Sequence, residues 1–469
     1  MKLDRAKLDA YFEAHQEEMV RDICRLVKIP SQRGEAKPGA PFGEGPLNAL
    51  KEAIEIAEEI GLKVTNYDNY VCAADLSDAP TELDILAHLD VVPVSDSWQV
   101  TKPFEPLVKD GRIYGRGTAD DKGPAVAALY AVKALKDLGV PLSKNVRLIL
   151  GTDEECGSGD LDYYYTKEKE APMSFSPDAD FPLINLEKGG LRGEFSAKWE
   201  ESKALPRIVS MDCGTKLNVV PDKANAVIEG MEKTELLALC EKASAETGVV
   251  YTVSETNGML RIDAKGDGAH AASPQAGNNA LTGLLALLVS LPMAESDGFK
   301  RLCAVYETFP HGDWLGKAAG VAMKDELSGE TTLSFTIFHY NLTGLEGQFD
   351  CRASILANDE NLRDVIRDHL AAKGIELAPC SVYAPHHVPA ESPLVKTLLS
   401  CYEEYTGEKG YCVSIGGGTY VHRLENGVAF GCANPNVDNR MHGDDEFAEI
   451  GQLVLSAKIF AEAIARICG

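Results

Sequence analysis

At 469 residues, with 45% hydrophobic and 25% charged residues, the chain has the composition of an ordinary globular protein and exceeds the length at which one core usually stops growing, so two domains are expected. Its 46 Lys and Arg against 72 Asp and Glu leave a formal net charge of −26, a field that repels nucleic-acid backbones and anionic membranes, so neither is an expected partner. No apolar run approaches the roughly 20 residues of a membrane span, the opening residues lack the apolar centre of a signal peptide, and the twelve cysteines form no Cys-x-x-Cys pair. A cytoplasmic protein with reduced thiols is the expectation.

Apolar positions at helical spacing predict helices over 4–28 and 46–61, the second closed by Gly61. Strands are expected at 62–67 and 83–88, the latter a short apolar run ending at His88. A Gly-rich loop, a small-residue helix over 123–138 and a Val/Leu/Ile strand over 145–151 follow, leading into Thr152-Asp153-Glu154-Glu155. This alternation predicts an α/β fold with a parallel or mixed sheet, and such sheets bind ligands beyond the carboxyl ends of their strands.

The pattern changes near residue 190. Strands near 192–199, 224–231, 259–265, 332–338, 346–355 and 376–383 are separated by helices at 234–247, 277–291 and 360–373. They read as a separate α+β domain of two strand-helix-strand (βαβ-like) halves on an antiparallel sheet. A helix at 391–405, a strand at 428–432, a loop through His442 and a final helix over 446–467 return to the first pattern. The expected architecture is a mixed-sheet α/β domain made from 1–190 and 384–469, interrupted by the α+β domain at 191–383.

His88 and Asp90 stand two apart at a strand end and project from one face, as an imidazole ligand and the group that orients its second nitrogen would. Asp120 and Asp121 lie in the Gly-rich loop before a helix; Glu154, Glu155, Asp178 (with Asp180 as its rival) and His442 would share the same rim. Imidazoles and carboxylates without cysteine describe a site for zinc, manganese or cobalt, with ligands enough for two ions that share a carboxylate. Consecutive Glu154 and Glu155 cannot share a face, so one can bind metal while its neighbour points to substrate. The second domain offers Asn218, His270 and Arg352; His270 reads locally as a surface or capping residue, and Gly416-Gly417 as either a backbone nest or a plain turn. Gly115-Arg-Gly is set aside as a phosphate loop because the Asp pair behind it would repel phosphate. His15, His311, His339, His369, His386, His387 and His422 read as structural or exposed.

His88-Leu-Asp-Val-Val-Pro, Gly115-Arg-Gly-Thr-Ala-Asp-Asp-Lys-Gly-Pro124, Gly151-Thr-Asp-Glu-Glu-Cys-Gly-Ser158, Ser176-Pro-Asp178 and Met441-His442-Gly443 together resemble the ordered motifs of the metallopeptidase family containing carnosinases, aminoacylases and succinyl-diaminopimelate desuccinylase. Order, spacing and the interrupted domain most resemble its PepV-type bacterial dipeptidases. The resemblance implies a catalytic domain interrupted by a lid domain. It implies two divalent ions, zinc with manganese or cobalt as alternatives, with Asp120 bridging them, His88 and Asp178 completing one site and Glu155 and His442 the other. It further implies Asp90 as the residue orienting His88, Glu154 as general base toward a metal-bridging water, a non-proline cis peptide at Asp120–Asp121, His270 assisted by Asn218 at the oxyanion, and Arg352 with Gly416 and Gly417 at the substrate carboxylate. The expected enzyme is a monomeric dipeptidase acting on unblocked dipeptides. Its rivals are an N-acyl amino acid deacylase of the same family and a non-catalytic peptide-binding protein.

Overall fold

The strand Thr81–His88 runs through the middle of a nine-stranded mixed sheet, and its last six residues are buried. Asn145–Gly151 and Met173–Ser176 lie parallel to it on either side, and Gly427–Ala429 extends the parallel run beyond Met173–Ser176. Val71–Asp75 and Lys63–Tyr67 finish one flank as an antiparallel hairpin. Apolar runs buried on both faces are what interior parallel strands require. The computed structural model describes residues 1–469. Its first compact unit comprises Met1–Leu186, His386–Val413 and Gly418–Gly469, and its second comprises Glu187–Pro385 with Ser414–Gly417.

In the first unit the helix Lys122–Asp137 is buried without interruption from Lys122 to Val132. Its alanines leave room for the helices Arg5–Val27 and Ile450–Cys468 to pack directly against it. Because parallel strands share a direction, Thr81–His88, Asn145–Gly151 and Met173–Ser176 end on one edge of the sheet. His88, the turn Glu154–Cys156 and Asp178 therefore emerge side by side. Gly61 closes its helix in the left-handed conformation at φ 80°, as the sequence predicts.

The second unit is built on an eight-stranded sheet in the order Val250–Thr256, Met259–Lys265, Lys223–Glu229, Arg207–Cys213, Thr332–Asn341, Gly344–Ala353, Gly189–Lys198 and Glu376–Leu377. Every neighbouring pair is antiparallel. The helices Lys233–Thr247 and Ala280–Ser290 contribute Leu236, Cys240, Leu281, Leu284 and Leu288 to its core. No helix of the protein is long and apolar enough to cross a membrane.

The α/β class stands, while several elements depart from their expected bounds. Val71–Asp75 is a strand where none was expected, because Asp68 and Asn69, both left-handed, make a tight turn out of a polar stretch. Residues 446–449 do not begin the last helix: Phe447–Glu449 pairs with Arg112–Tyr114, and the helix starts at Ile450. In the second unit Arg207–Cys213, Val250–Thr256 and the helix Asp297–Thr308 were not anticipated, and the strand expected over 376–383 shrinks to Glu376–Leu377. Consecutive Ile208 and Val209 in the first of these, and consecutive Val250 and Tyr251 with the polar run Ser254-Glu255-Thr256 in the second, break the apolar–polar alternation that marks a half-buried strand.

Candidate active site

His88 is fully buried at the end of its strand, and its Nε2 lies 2.8 Å from Asp120 Oδ1 and 3.7 Å from Asp178 Oδ2. The other oxygen of Asp120 is 2.7 Å from His442 Nε2, which in turn is 3.2 Å from Glu155 Oε1. One carboxylate thus stands between two imidazoles, each of which faces a second carboxylate. Glu154 belongs to the same cluster: ligand atoms of His88, Glu154 and Asp178 lie within 4.8 Å of one another, as do those of His88, Asp120 and Glu155. Asp180 is exposed on the short strand Ala179–Asp180 and joins neither group.

Several ties hold these side chains. His88 Nδ1 faces the backbone oxygen of Asp90 at 3.0 Å and its carboxylate at 3.5 Å. The two Asp90 oxygens accept the backbone amides of Glu154 and Glu155. Asp160 accepts the amides of Thr152 and Asp153 on one oxygen, which also accepts the Tyr420 hydroxyl. Asp121 accepts the amide of His88 at 3.0 Å, and the Asp120–Asp121 peptide is cis. Glu446 accepts the amides of Gly117, Ala119 and Asp120 and pairs with Arg116.

The electrostatics of the cluster call for cations. Burial, reinforced by neighbouring carboxylates, raises Glu154, Glu155 and Asp178 above the ordinary carboxylate range. Burial would also raise Asp120, but its two imidazoles outweigh that and hold it well below. Against their own burial, His442 is pulled up to about 11 and His88 well above its usual value by the carboxylates they face. Asp121 Oδ1 remains buried without a hydrogen bond. A nitrogen and oxygen donor set with surplus negative charge fits divalent zinc, manganese or cobalt.

The second unit gathers the other candidates. Asn218 and His270 are exposed on neighbouring segments, with Val219 paired to His270 and the Asn218 carbonyl accepting the Ala271 amide. His270 Nδ1 accepts the amide of Ala272, and a Cβ on Gly416 would lie 2.9 Å from Ala272 Cβ. Arg352 donates to both oxygens of Asp350 at 2.8 Å and to the Gly416 carbonyl at 2.5 Å. Gly417 follows in the same segment, with only Ile415 near its Cβ position.

A sequence model described as peptidase family M20/M25/M40 matches residues 85–466. The chain belongs to this peptidase family. It is a metallopeptidase of the M20 group, as its ordered motifs predict. It is 38% identical over 459 residues to a putative dipeptidase, YtjP, of Bacillus subtilis (strain 168), covering 96% of this chain and 97% of the other. It is 33% identical over 465 residues to the Beta-Ala-Xaa dipeptidase of Lactobacillus delbrueckii subsp. lactis, covering 96% of each. Human carnosine dipeptidase 1 shares the fold at a TM-score of 0.60, 16% identity and full coverage of both chains. The di-peptidase Dug1p of Saccharomyces cerevisiae does so at 0.60 and 14% identity, over 100% of this chain and 99% of the other.

Sequence reading missed Arg116, Asp160, Tyr420 and Glu446 of this M20 peptidase. Arg116 lay inside the Gly-rich loop, where only Asp120 and Asp121 were given roles, and Glu446 was counted as the first residue of a helix.

Proposed function

We propose that this M20 peptidase hydrolyses unblocked dipeptides with two divalent ions, zinc or in its place manganese or cobalt, and with Glu154 as general base. The observation that carries the reading is Asp120 standing between His88 and His442, with Asp178 and Glu155 on their outer sides. The dipeptidase names of relatives matching nearly end to end support the substrate class.

His88, Asp178 and Asp120 would hold one ion, and Asp120, Glu155 and His442 the other. Such ions polarise the scissile carbonyl and bring the pKa of a water toward neutrality. Glu154 is raised by burial, by Asp178 and by Glu155, so it accepts a proton readily and can hand it to the leaving amine. His270, assisted by Asn218, serves as donor to the developing oxyanion. Three of the five N–H groups of Arg352 are engaged by Asp350 and Gly416. The two that remain, one on each terminal nitrogen, suit a substrate carboxylate, with the Gly416-Gly417 segment beside them. The second unit thereby acts as the lid, and a chain carrying its own donors works as a monomer.

The test measures metal content together with hydrolysis of free, N-acylated and carboxy-amidated dipeptides before and after chelation. Two ions per chain and chelator-sensitive cleavage of free dipeptides alone are expected. Preference for N-acylated substrates would make the enzyme a deacylase, and no cleavage at all would overturn catalysis.

A further inference from the structure

Arg116 and Glu446 exchange places between the two segments that carry Asp120 and His442. Arg116 belongs to the Asp120 loop, yet its guanidinium reaches the other segment, donating to Glu446 Oε2 at 2.5 Å and to the His442 carbonyl at 3.2 Å. Glu446 belongs to the His442 segment, yet its Oε1 reaches back to the amides of Gly117, Ala119 and Asp120 at 3.0, 2.9 and 3.3 Å. A backbone bond from Gly115 to the Glu446 carbonyl runs beside them. Both side chains are buried, with Arg116 Cζ 5.5 Å from the Trp98 ring. A buried ion pair is seldom the cheapest way to fill a core, so its placement calls for a geometric reason. His442 itself sits at φ 62°, a region few side chains enter, and the Arg116 bond fixes its carbonyl there.

We propose that Arg116 and Glu446 are positioning residues that set the separation of Asp120 and His442, and with it the affinity for the ion drawn by His442 and Glu155. The ion drawn by His88 and Asp178 depends on them less: it shares Asp120, but its other two ligands lie on segments to which neither Arg116 nor Glu446 bonds. The inference rests on the two-ion reading above.

The test titrates Co2+ into chelator-stripped, full-length wild type, Glu446→Gln and Arg116→Lys, following absorption and heat. Every partner of Glu446 is a donor, so the glutamine NH2 must face a donor whichever way it turns. Wild type should bind two ions. Glu446→Gln should bind the first within a few-fold of wild type and the second about 10–100-fold more weakly. Excess Co2+ should restore its kcat, with the dipeptide KM unchanged. Arg116→Lys keeps the charge beside Glu446 but cannot span both partners, and should weaken the same ion to a lesser degree. Wild-type affinity for both ions in both variants, equal weakening of both ions, or no rescue by excess Co2+ would overturn the proposal. If Glu446→Gln fails to fold, Arg116→Lys decides by the same criteria. A wild type that binds a single ion overturns the two-ion reading, and this proposal with it.

Discussion

The carboxylate of Asp90 and the backbone amide of Glu154 lie 3.1 Å apart, and the other Asp90 oxygen receives the amide of Glu155 at 3.2 Å. Asp90 therefore spans the turn on which both glutamates ride, besides facing His88. Asp90→Asn would set an NH2 against one of those amides. We predict a kcat lower by about 10–100-fold with the fold intact, the range seen when groups supporting a metal ligand are lost. Steady-state kinetics at saturating metal, with circular dichroism as control, checks this; a kcat within twofold of wild type would refute it.

Adjacent Glu154 and Glu155 should separate cleanly by metal analysis. Glu154→Ala should lose about 10²–10⁴ in turnover while keeping its ions, because it removes a proton carrier. Glu155→Ala should lose an ion, because its oxygen faces His442 at 3.2 Å. The reverse pattern would exchange their roles.

His270→Ala should keep wild-type metal content and lose about 10²–10³ in kcat, the usual cost of one oxyanion donor. Turnover close to wild type would remove His270 from the chemistry.

Asp160 makes stability depend on pH. Burial and the nearby Asp90 raise its pKa to about 7, although the Tyr420 hydroxyl and the Thr152 amide favour its charged form. A carboxyl raised on folding gives stability that is complete below its unfolded value of about 4 and lost as pH rises through its folded one. The stability of wild type relative to Asp160→Asn should therefore fall by about 2 kcal/mol between pH 5 and 7. Urea unfolding of chelated protein at several pH values measures it, and a constant difference would show that Asp160 does not titrate in this range.

What sequence made visible was the order of chemistry along the chain. His88 ends one apolar strand and Glu154 and Glu155 follow another, so their shared edge could be read from a period and a strand direction, whereas Asp178 follows Met173–Ser176, a half-polar strand not anticipated from sequence. Choosing Asp178 over Asp180 needed coordinates, because both lie in one acidic loop and differ only in where the backbone turns. Arg116 and Glu446 were invisible for another reason: they are 330 positions apart, and most of their partners are backbone groups, which leave no trace in residue type. The Asp90 carboxylate, expected at His88, also serves the Glu154 and Glu155 amides, since a carboxylate has more lone pairs than one imidazole can use.

The donors of the cluster arrive in the order His88, Asp120, Glu155, Asp178 and His442, with the whole second unit translated before the last of them. The helix Ile450–Cys468, which packs on Lys122–Asp137, emerges later still. A nascent chain can thus acquire four donors long before the fifth leaves the ribosome. On the two-ion reading proposed above, a fragment that ends before His442 lacks a donor to one ion and should stay inert toward peptides.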